Sequence, residues 1–191
     1  MGMMMTEEKI AADRAQAQDT ICFAELPDGL VVVKITGRGT FSNSVELKRL
    51  GDSLFERSDG AKPHFIVDLG GCTTMDSTFM GVLASVALRE KREVADKLIV
   101  VNANPQNIRL LHTLGLAYFM DVRATNDAAP LVDEAQFNPA ETEEVPRADR
   151  IVHMIEAHQS LCDIDSQNEV RFESVLKYLN ESLKREGDKD N

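Results

Sequence analysis

The sequence predicts an α/β protein built on one mixed β-sheet that is faced by helices. Between about residue 20 and residue 125, short apolar runs alternate with segments whose apolar residues follow a helical period. Two runs come first with no helix between them, and a helical segment separates each later pair. The predicted order is therefore β-β-α-β-α-β-α-β, and such alternation is typical of a single sheet covered by helices.

The first two strands are predicted to form a hairpin. One apolar run covers residues 21–26 and the next covers residues 30–35. Pro-Asp-Gly lies between them at residues 27–29, and these residue types favour tight turns. The second strand is expected to end at the Gly-Arg-Gly of residues 37–39.

A helix and a third strand are predicted next. Residues 45–55 carry apolar side chains on one broad helical face, and Ser42 and Asn43 are available as N-caps. Residues 64–69 form a short continuous apolar run, which indicates a strand covered on both faces. We expect a loop over residues 70–76.

Residues 77–122 are predicted to continue the alternation of helix and strand. A helix is expected over about residues 77–91, and residues 98–101 indicate another buried strand. A further helix should begin at Pro105 and stop at Gly115. Residues 119–122 are predicted to form a last short strand.

The composition indicates a globular protein of the cytoplasm. Of the 191 residues, 43% are hydrophobic and 28% are charged, which is ordinary for a packed domain. The cysteines are scattered without C-x-x-C spacing, so they indicate reduced thiols and not a metal site. No apolar run reaches the ~18–20 residues of a membrane span, and the first residues lack the features of a signal peptide.

The charge of the chain excludes two classes of partner. The formal net charge is −11, which repels the phosphates of nucleic acids and anionic lipids. We therefore expect no direct contact with nucleic acid or membrane. Any influence on transcription should pass through another protein.

Three segments are expected to differ from the α/β module of residues 20–125. Residues 1–19 hold little apolar surface and are predicted to form a flexible N-terminal arm. Residues 126–147 hold three prolines and an acidic run, which indicate a short helix followed by a linker. Residues 148–186 show two helical periods and are predicted to be a two-helix extension. This extension either covers the sheet or forms a homodimer.

A motif that joins a buried strand to the next helix is the most informative feature of the chain. The strand of residues 65–69 ends in Asp-Leu, and after a loop comes Asp-Ser-Thr-Phe-Met-Gly at residues 76–81. This segment resembles the STAS domain, in which Asp-Ser-Ser/Thr-Gly-Leu-Gly opens a helix. Residues 98–102 and 107–116 are similar to the next strand and helix of that family. The resemblance covers about 100 residues and implies a STAS-like mixed sheet faced by helices, with the helical extension added.

The resemblance also implies a phosphorylation site at Ser77. In the anti-sigma-factor antagonists of this family, a serine kinase that is also an anti-sigma factor modifies that position. Asp76 can cap the helix and leave the Ser77 hydroxyl exposed at its first turn, where a phosphate would be stabilised by the helix N–H groups. Thr78 is the second candidate acceptor. Phe79 replaces the family glycine, so the surface met by a kinase is expected to differ, while Gly81 is retained.

The function that the resemblance implies is that of an anti-sigma-factor antagonist. The chain would sequester a kinase-type anti-sigma factor while Ser77 is unmodified, and a phosphate of about −1.5 to −2 charges would release it. No cofactor, metal or catalytic residue is implied, since the ATP belongs to the partner. The expected partner-binding residues lie in the motif and in the loop before the first helix: Asp76, Ser77, Thr78, Phe79, Arg38, Ser42 and Asn43.

Other functions stay open. A scaffold or assembly subunit of a signalling complex is favoured by the additional C-terminal helices, and an accessory STAS protein of small-ligand or lipid transport is a further alternative. An enzyme is disfavoured because no convergent catalytic set is visible. His153 and His158 are five residues apart. They are interpreted as polar positions on an amphipathic helix and not as zinc ligands.

Overall fold

The structure is a computed structural model, and it describes residues 19–57, 61–124, 132–141 and 144–187. Strands and helices alternate in the predicted order, and one further strand and two helices follow. The predicted α/β class is therefore confirmed. The expected N-terminal arm lies outside the described residues, except for Asp19.

One mixed sheet of six strands organises the fold. The strands are β1 (Thr20–Glu25), β2 (Leu30–Gly39), β3 (His64–Met75), β4 (Leu98–Val101), β5 (Met120–Val122) and β6 (Asn138–Pro139). Their order across the sheet is β5-β4-β3-β2-β1-β6. β1 pairs antiparallel with both β2 and β6, and the other neighbours are parallel. The turn between β1 and β2 contains Asp28 and Gly29 at φ values of 64° and 80°, a conformation that these two residue types tolerate.

Within the described residues, five α-helices accompany the sheet: α1 (Phe41–Glu56), α2 (Ser77–Glu93), α3 (Pro105–Thr113), α4 (Arg147–Ile164) and α5 (Gln167–Gly187). The main core joins apolar side chains of the sheet to those of α1 and α2. Ala157, Leu161 and Phe172 of the last two helices belong to the same core. Among the described residues, no helix is long and apolar enough to cross a bilayer.

The third strand is longer than predicted. Residues 70–76 are expected as a loop, but β3 continues along β2 as far as Met75. The register between the two strands shifts twice, once between Lys34 and Thr36 and once between Gly37 and Arg38. Such irregular pairing removes the strict alternation of apolar and polar residues by which a strand is recognised.

Part of the predicted linker is a strand. β6 pairs with Cys22 and Phe23 of β1, and the Ala140 N–H donates to the Ile21 carbonyl at 2.9 Å. Pro139 is tolerated there because β6 lies at the edge of the sheet. A short 3₁₀ turn precedes it at Glu134–Gln136. Residues 126–131 and 142–143 of the predicted segment lie outside the described residues.

The two C-terminal helices form an antiparallel hairpin, because Arg147 at the start of α4 pairs with Glu186 near the end of α5. Apolar side chains of α4 and α5 meet along it: Ile151, Ile155, Leu176, Leu179 and Leu183. The turn of the hairpin is attached to the end of α3. Asn168, which has no exposed surface, donates from Nδ2 to the carbonyls of Leu114 and Leu161 at 3.0 and 2.8 Å. The hairpin is thus fixed to the α/β module at its turn and along α4.

Candidate functional site

The carboxylate of Asp76 joins the starts of two helices. Its Oδ1 accepts a hydrogen bond from the Phe79 N–H at 2.8 Å, and its Oδ2 accepts one from the Phe41 N–H at 2.7 Å. Asp76 is the N-cap of α2, whereas Phe41 is the first residue of α1. One side chain therefore satisfies a free N–H of each helix and holds both N-termini at the same edge of the sheet.

Ser77 is the first residue of α2, and its hydroxyl contacts the C-terminal hairpin. Its Oγ lies 3.0 Å from Nε2 of His158, a buried side chain of α4. Nδ1 of the same ring lies 2.7 Å from the Met154 carbonyl. Because a carbonyl only accepts, Nδ1 carries a proton, and the second ring nitrogen, Nε2, shares a hydrogen bond with the Ser77 hydroxyl. Ser77 is half-buried, and its hydroxyl contacts α4 at the edge of the sheet.

Helix α4 reaches Ser77 because α2 has a glycine at the crossing point. A Cβ atom on Gly81 would lie 2.2 Å from the carbonyl oxygen of Ala157 and 2.9 Å from its Cβ. No side chain larger than hydrogen fits there without moving α4. Gly81 is one turn from Ser77 on the same face of α2, so the close crossing brings His158 to the hydroxyl.

The second histidine of α4 contacts α1. His153 Nε2 lies 2.7 Å from Ser44 Oγ, and Ser44 donates its own proton to the Phe41 carbonyl at 2.9 Å. The ring N–H therefore donates to Ser44. Burial, and to a smaller extent the positive charge of Lys48, lower the pKa of His153 to about 4. The ring is neutral at physiological pH.

Both histidines, interpreted from the sequence as polar positions on an amphipathic helix, lie in the interior of the protein. His153 and His158 are 7% and 3% exposed. Five residues separate them by about 140° around the helix axis, and α4 lies against both α1 and α2, so each ring reaches a different helix. For His158, the sequence contains a signal of burial. His158 follows Ile155 and precedes Leu161 by three residues each, which places it on the apolar face of α4.

Two of the predicted partner-binding residues in the first turn of α2 are buried. Thr78 is 5% exposed, and Phe79 has no exposed surface. The Phe79 ring packs directly over Gly39, where a Cβ would lie 2.7 Å from the ring. The phenylalanine that replaces the family glycine therefore fills the core and does not alter the outer surface. In this conformation neither residue is accessible to a kinase or to another partner.

The loop before α1 is held by its own side chains. Asn43 is buried, accepts from the Thr40 N–H at 2.8 Å and donates to the Arg38 carbonyl at 2.9 Å. The N-cap of α1 is thus Thr40, with Asn43 in the third helical position, and not Ser42 or Asn43. Arg38 is exposed and pairs with Asp19 at 3.3 Å. Ser42 is also exposed, so the accessible part of the predicted surface consists of Arg38 and Ser42, with Asp76 and Ser77 half-buried beside them.

The structure gives little support for a ligand-binding site near the first turns of α1 and α2. A groove between α1, α2 and α4 is lined by charged side chains interspersed with apolar ones, the charged ones being Lys48, Asp52, Arg89, Arg92, Glu156 and Asp163. Several pair with one another, since Asp52 accepts from Lys48 at 2.9 Å and from Arg89 at 3.1 Å. Such a groove is unsuited to a lipid chain. Within the part of the chain that the structure describes, no cluster of three His, Cys, Asp or Glu side chains could hold a metal ion.

Comparisons with known proteins agree with this fold. A family model described as "Mlab, STAS domain" matches residues 22–121. One similar solved structure is a putative anti-sigma factor antagonist (tm1081) from Thermotoga maritima, with 15% identity and a TM-score of 0.46 over 55% of this chain and 86% of that one. The anti-sigma factor antagonist SpoIIAA in its unphosphorylated form has 19% identity and a TM-score of 0.44, over 57% and 89% of the two chains. A sulfate transporter family protein from Wolinella succinogenes has 19% identity and a TM-score of 0.44, over 53% and 82%. A search of curated proteins found no match.

Proposed function

The chain belongs to the STAS domain family, and on that premise we propose that it is a protein-binding switch of the anti-sigma-factor antagonist type. The unmodified chain binds a kinase-type anti-sigma factor, and phosphorylation of Ser77 by that partner ends the binding. The chain is not an enzyme in this proposal, because the ATP and the catalytic residues belong to the partner. Its place of action is the cytoplasm, where sigma factors work.

The arrangement around Asp76 is the observation that carries this proposal. Its two hydrogen bonds hold the first turn of α2 beside the first turn of α1. Ser77, Ser42 and Arg38 therefore lie along one edge, where a single partner can contact all three. A phosphate on Ser77 would be stabilised by the N–H groups at the start of α2. It would also place a strong negative charge beside Asp76, which opposes the return of the partner.

The modification is tested by mass. The full chain is incubated with ATP and a kinase-type anti-sigma factor from the same organism, and its intact mass is measured. We expect a phosphate-sized gain that Ser77→Ala abolishes. Ser42→Ala removes an exposed serine from the same edge and is the matched control, so it should leave the gain unchanged. A gain that survives Ser77→Ala contradicts the assignment of the site.

The switch is tested by affinity. Ser77→Ala should keep the binding of the anti-sigma factor, whereas Ser77→Asp should weaken it, because the added carboxylate brings part of the charge of a phosphate. The decisive comparison is between authentically phosphorylated and unmodified protein. Equal affinity of the two forms for the partner rules the switch out.

A scaffold or assembly subunit is the second candidate, and one observation favours it. The hairpin of α4 and α5 contacts the half-buried Ser77 through His158. This contact narrows the space in which a kinase could reach the hydroxyl. A homodimer through these helices with the hairpin closed would use a face other than that of Leu179, which packs against Ile151 and Ile155 within the chain. Multi-angle light scattering distinguishes a monomer from such a dimer.

A further inference from the structure

We infer that His158 is the general base for the chemistry of Ser77: its imidazole takes the proton of the hydroxyl while Ser77 Oγ attacks a phosphorus atom. This gives a catalytic role to a residue of the C-terminal hairpin, which lies outside residues 22–121 that the family model matches. The inference rests on the proposed function for the identity of the donor, which is the γ-phosphoryl group of ATP. The geometry of the pair does not depend on that function.

The two side chains have the geometry of an activated serine. Ser77 Oγ and His158 Nε2 are 3.0 Å apart, which is within the reach of about 2.6–3.2 Å that a general base needs. A third group orients the base, since Nδ1 donates to the Met154 carbonyl at 2.7 Å. A nucleophile, a base and a group that orients the base form the arrangement by which serine hydroxyls are activated.

The position of the ring proton makes His158 an acceptor. Nδ1 carries a proton because its partner is a carbonyl. In the neutral ring, Nε2 therefore has a free lone pair, and the Ser77 hydroxyl donates to it. The Phe172 ring stands edge-on against the imidazole, with centroids 4.9 Å apart, which restricts rotation of the imidazole and keeps Nε2 directed at Ser77.

The other serine–histidine pair of the same helix has the opposite polarity. Ser44 gives its proton to the Phe41 carbonyl at 2.9 Å, so His153 donates to Ser44. Ser44 also has no exposed surface, whereas Ser77 is half-buried and can be reached from outside. The hydrogen-bonding need of a buried ring accounts for both pairs. Only the pair at Ser77 joins a proton acceptor to an accessible hydroxyl.

The transfer step follows from this arrangement. As the Oγ–P bond forms, the P–O bond to ADP breaks and ADP leaves with its electron pair, while the proton passes from Oγ to Nε2. The ring becomes an imidazolium, whose charge opposes that of the new phosphate. The N–H groups of Ser77 and Thr78 lie in the first turn of α2, where the helix offers them no acceptor. They can donate to the phosphoryl oxygens.

Labelling by diisopropyl fluorophosphate tests this inference on the full chain without a partner. In that reaction the Oγ–P bond forms, fluoride leaves and the proton again goes to His158. Intact mass gives the rate and peptide mapping gives the site, from about pH 5 to about pH 9, which spans the titration of histidine. His158→Gln removes the base, and His153→Gln removes the other buried ring of α4 as the matched control. The Asp76 carboxylate, the charged group beside the pair, is the same in all three proteins.

We expect Ser77 to be labelled faster than the exposed Ser42 of the same chain, at a rate that rises with pH and levels off once His158 is neutral. His158→Gln should lower the rate about a hundredfold, the lower end of what a general base contributes, and should remove the plateau. His153→Gln should keep both the rate and the plateau.

Three results of the labelling overturn the inference. One is a Ser77 that reacts no faster than Ser42, a comparison within the wild type that needs no variant to fold. Another is a rate and pH profile of His158→Gln equal to those of the wild type. Equal losses in His158→Gln and His153→Gln would show that the ring only packs α4, and they overturn the inference as well.

The kinase reaction separates this inference from the proposed function. With ATP and a kinase-type anti-sigma factor, His158→Gln should lower kcat for the phosphorylation of Ser77 and leave KM unchanged. If the variant and the wild type are phosphorylated equally fast, the proposed function stands and this inference is wrong. If Ser77 is labelled through His158 but no anti-sigma factor phosphorylates it, the reactive pair stands and the proposed partner is wrong.

Discussion

Ser44 on α1 and His153 on α4 share a buried hydrogen bond of 2.7 Å between Oγ and Nε2. Burial lowers the pKa of His153 to about 4, with a smaller contribution from Lys48, whereas a histidine in the unfolded chain titrates near about 6.5. Between these two values the unfolded chain binds one proton more than the folded one. The stability that this site contributes is therefore complete above pH 6.5 and is lost as the pH falls toward 4.

The first prediction concerns His153→Gln, which removes the titration and can still donate to Ser44. At each pH, the free energy of unfolding of the variant is subtracted from that of the wild type. This difference should fall by about 3 kcal/mol between pH 7 and pH 4. Urea unfolding at several pH values measures it. The charges of Asp52 and Glu156, which pair with Lys48 near the ring, are the same in both proteins. His112→Gln, at an exposed position, is the control. A difference between the wild type and His153→Gln that does not depend on pH would contradict the prediction.

The second prediction concerns Glu90, which has no exposed surface. Burial raises its pKa to about 8. The protonated carboxyl is then hydrogen-bonded to His64 Nδ1 and accepts from the Phe65 N–H at 3.3 Å. Because the folded chain holds a proton that the unfolded chain has released above about pH 4.5, stability is lost as the pH rises from 4.5 to 8.

Glu90→Gln keeps the shape of the side chain but does not titrate. Relative to the wild type, this variant should gain stability between pH 6 and pH 9, measured by denaturant unfolding. Glu93→Gln is the matched control. The Glu93 pKa is lowered by hydrogen bonds from Arg89 and Lys62, so its contribution is constant across this range and is lost only at acid pH. If the free energy of unfolding depends on pH in the same way in Glu90→Gln and Glu93→Gln, Glu90 is ionised in the folded protein and the prediction is wrong.

The third prediction concerns the double role of Asp76. Asp76→Ala removes the hydrogen bonds to Phe41 and Phe79 together, and each lost cap costs about 1 kcal/mol. We expect a loss of about 2 kcal/mol in urea unfolding, and a smaller loss for Asp76→Asn, which keeps one acceptor. Asp133→Ala removes a cap only from a short 3₁₀ turn and should cost little. Similar losses for Asp76→Ala and Asp133→Ala would refute the double role.

The fourth prediction concerns the apolar stripe of α5. Leu179 is 6% exposed and packs against Ile151 and Ile155, with Leu176 at its side. Replacing both leucines with aspartate should cost several kcal/mol, because apolar area is lost and two charges are forced toward the α4 interface. The melting temperature should fall while the mass in solution stays that of a monomer. Val170→Asp, at an exposed position of α5, is the control and should change neither the melting temperature nor the mass. Dissociation of an oligomer in the double aspartate variant would instead show that α5 dimerises.

The fifth prediction concerns the proposed division of the chain. Residues 18–126 contain five of the six strands and are expected to fold by themselves. The pairing of β6 with β1 indicates that a fragment of residues 18–141 should be more stable. Both should melt at a lower temperature than the full chain, because they lack three core residues of the hairpin: Ala157, Leu161 and Phe172. If neither fragment melts cooperatively, the hairpin belongs to the module and the proposed boundary is wrong.

Local features of the sequence determined much of this protein. The turn at residues 27–29, the alternation of apolar runs with helical periods, and the start of α2 after Asp76 could all be predicted. Each depends on residues within one turn or one strand of each other. Turn conformation, helix capping and the burial of one helix face are set by such neighbours. The STAS motif also lies in one continuous segment, which is why the family was recognisable.

Only the tertiary structure decided what surrounds Ser77. The hydroxyl contacts His158, 81 residues away, because that histidine lies on a helix that Gly81 allows to approach. Phe79 is buried because Gly39 leaves room for its ring. β6 exists because β1 offers it an unpaired edge. Burial and hydrogen bonding depend on which distant surfaces meet, and the periodicity of a helix or a strand shows that an apolar face exists without showing what it contacts.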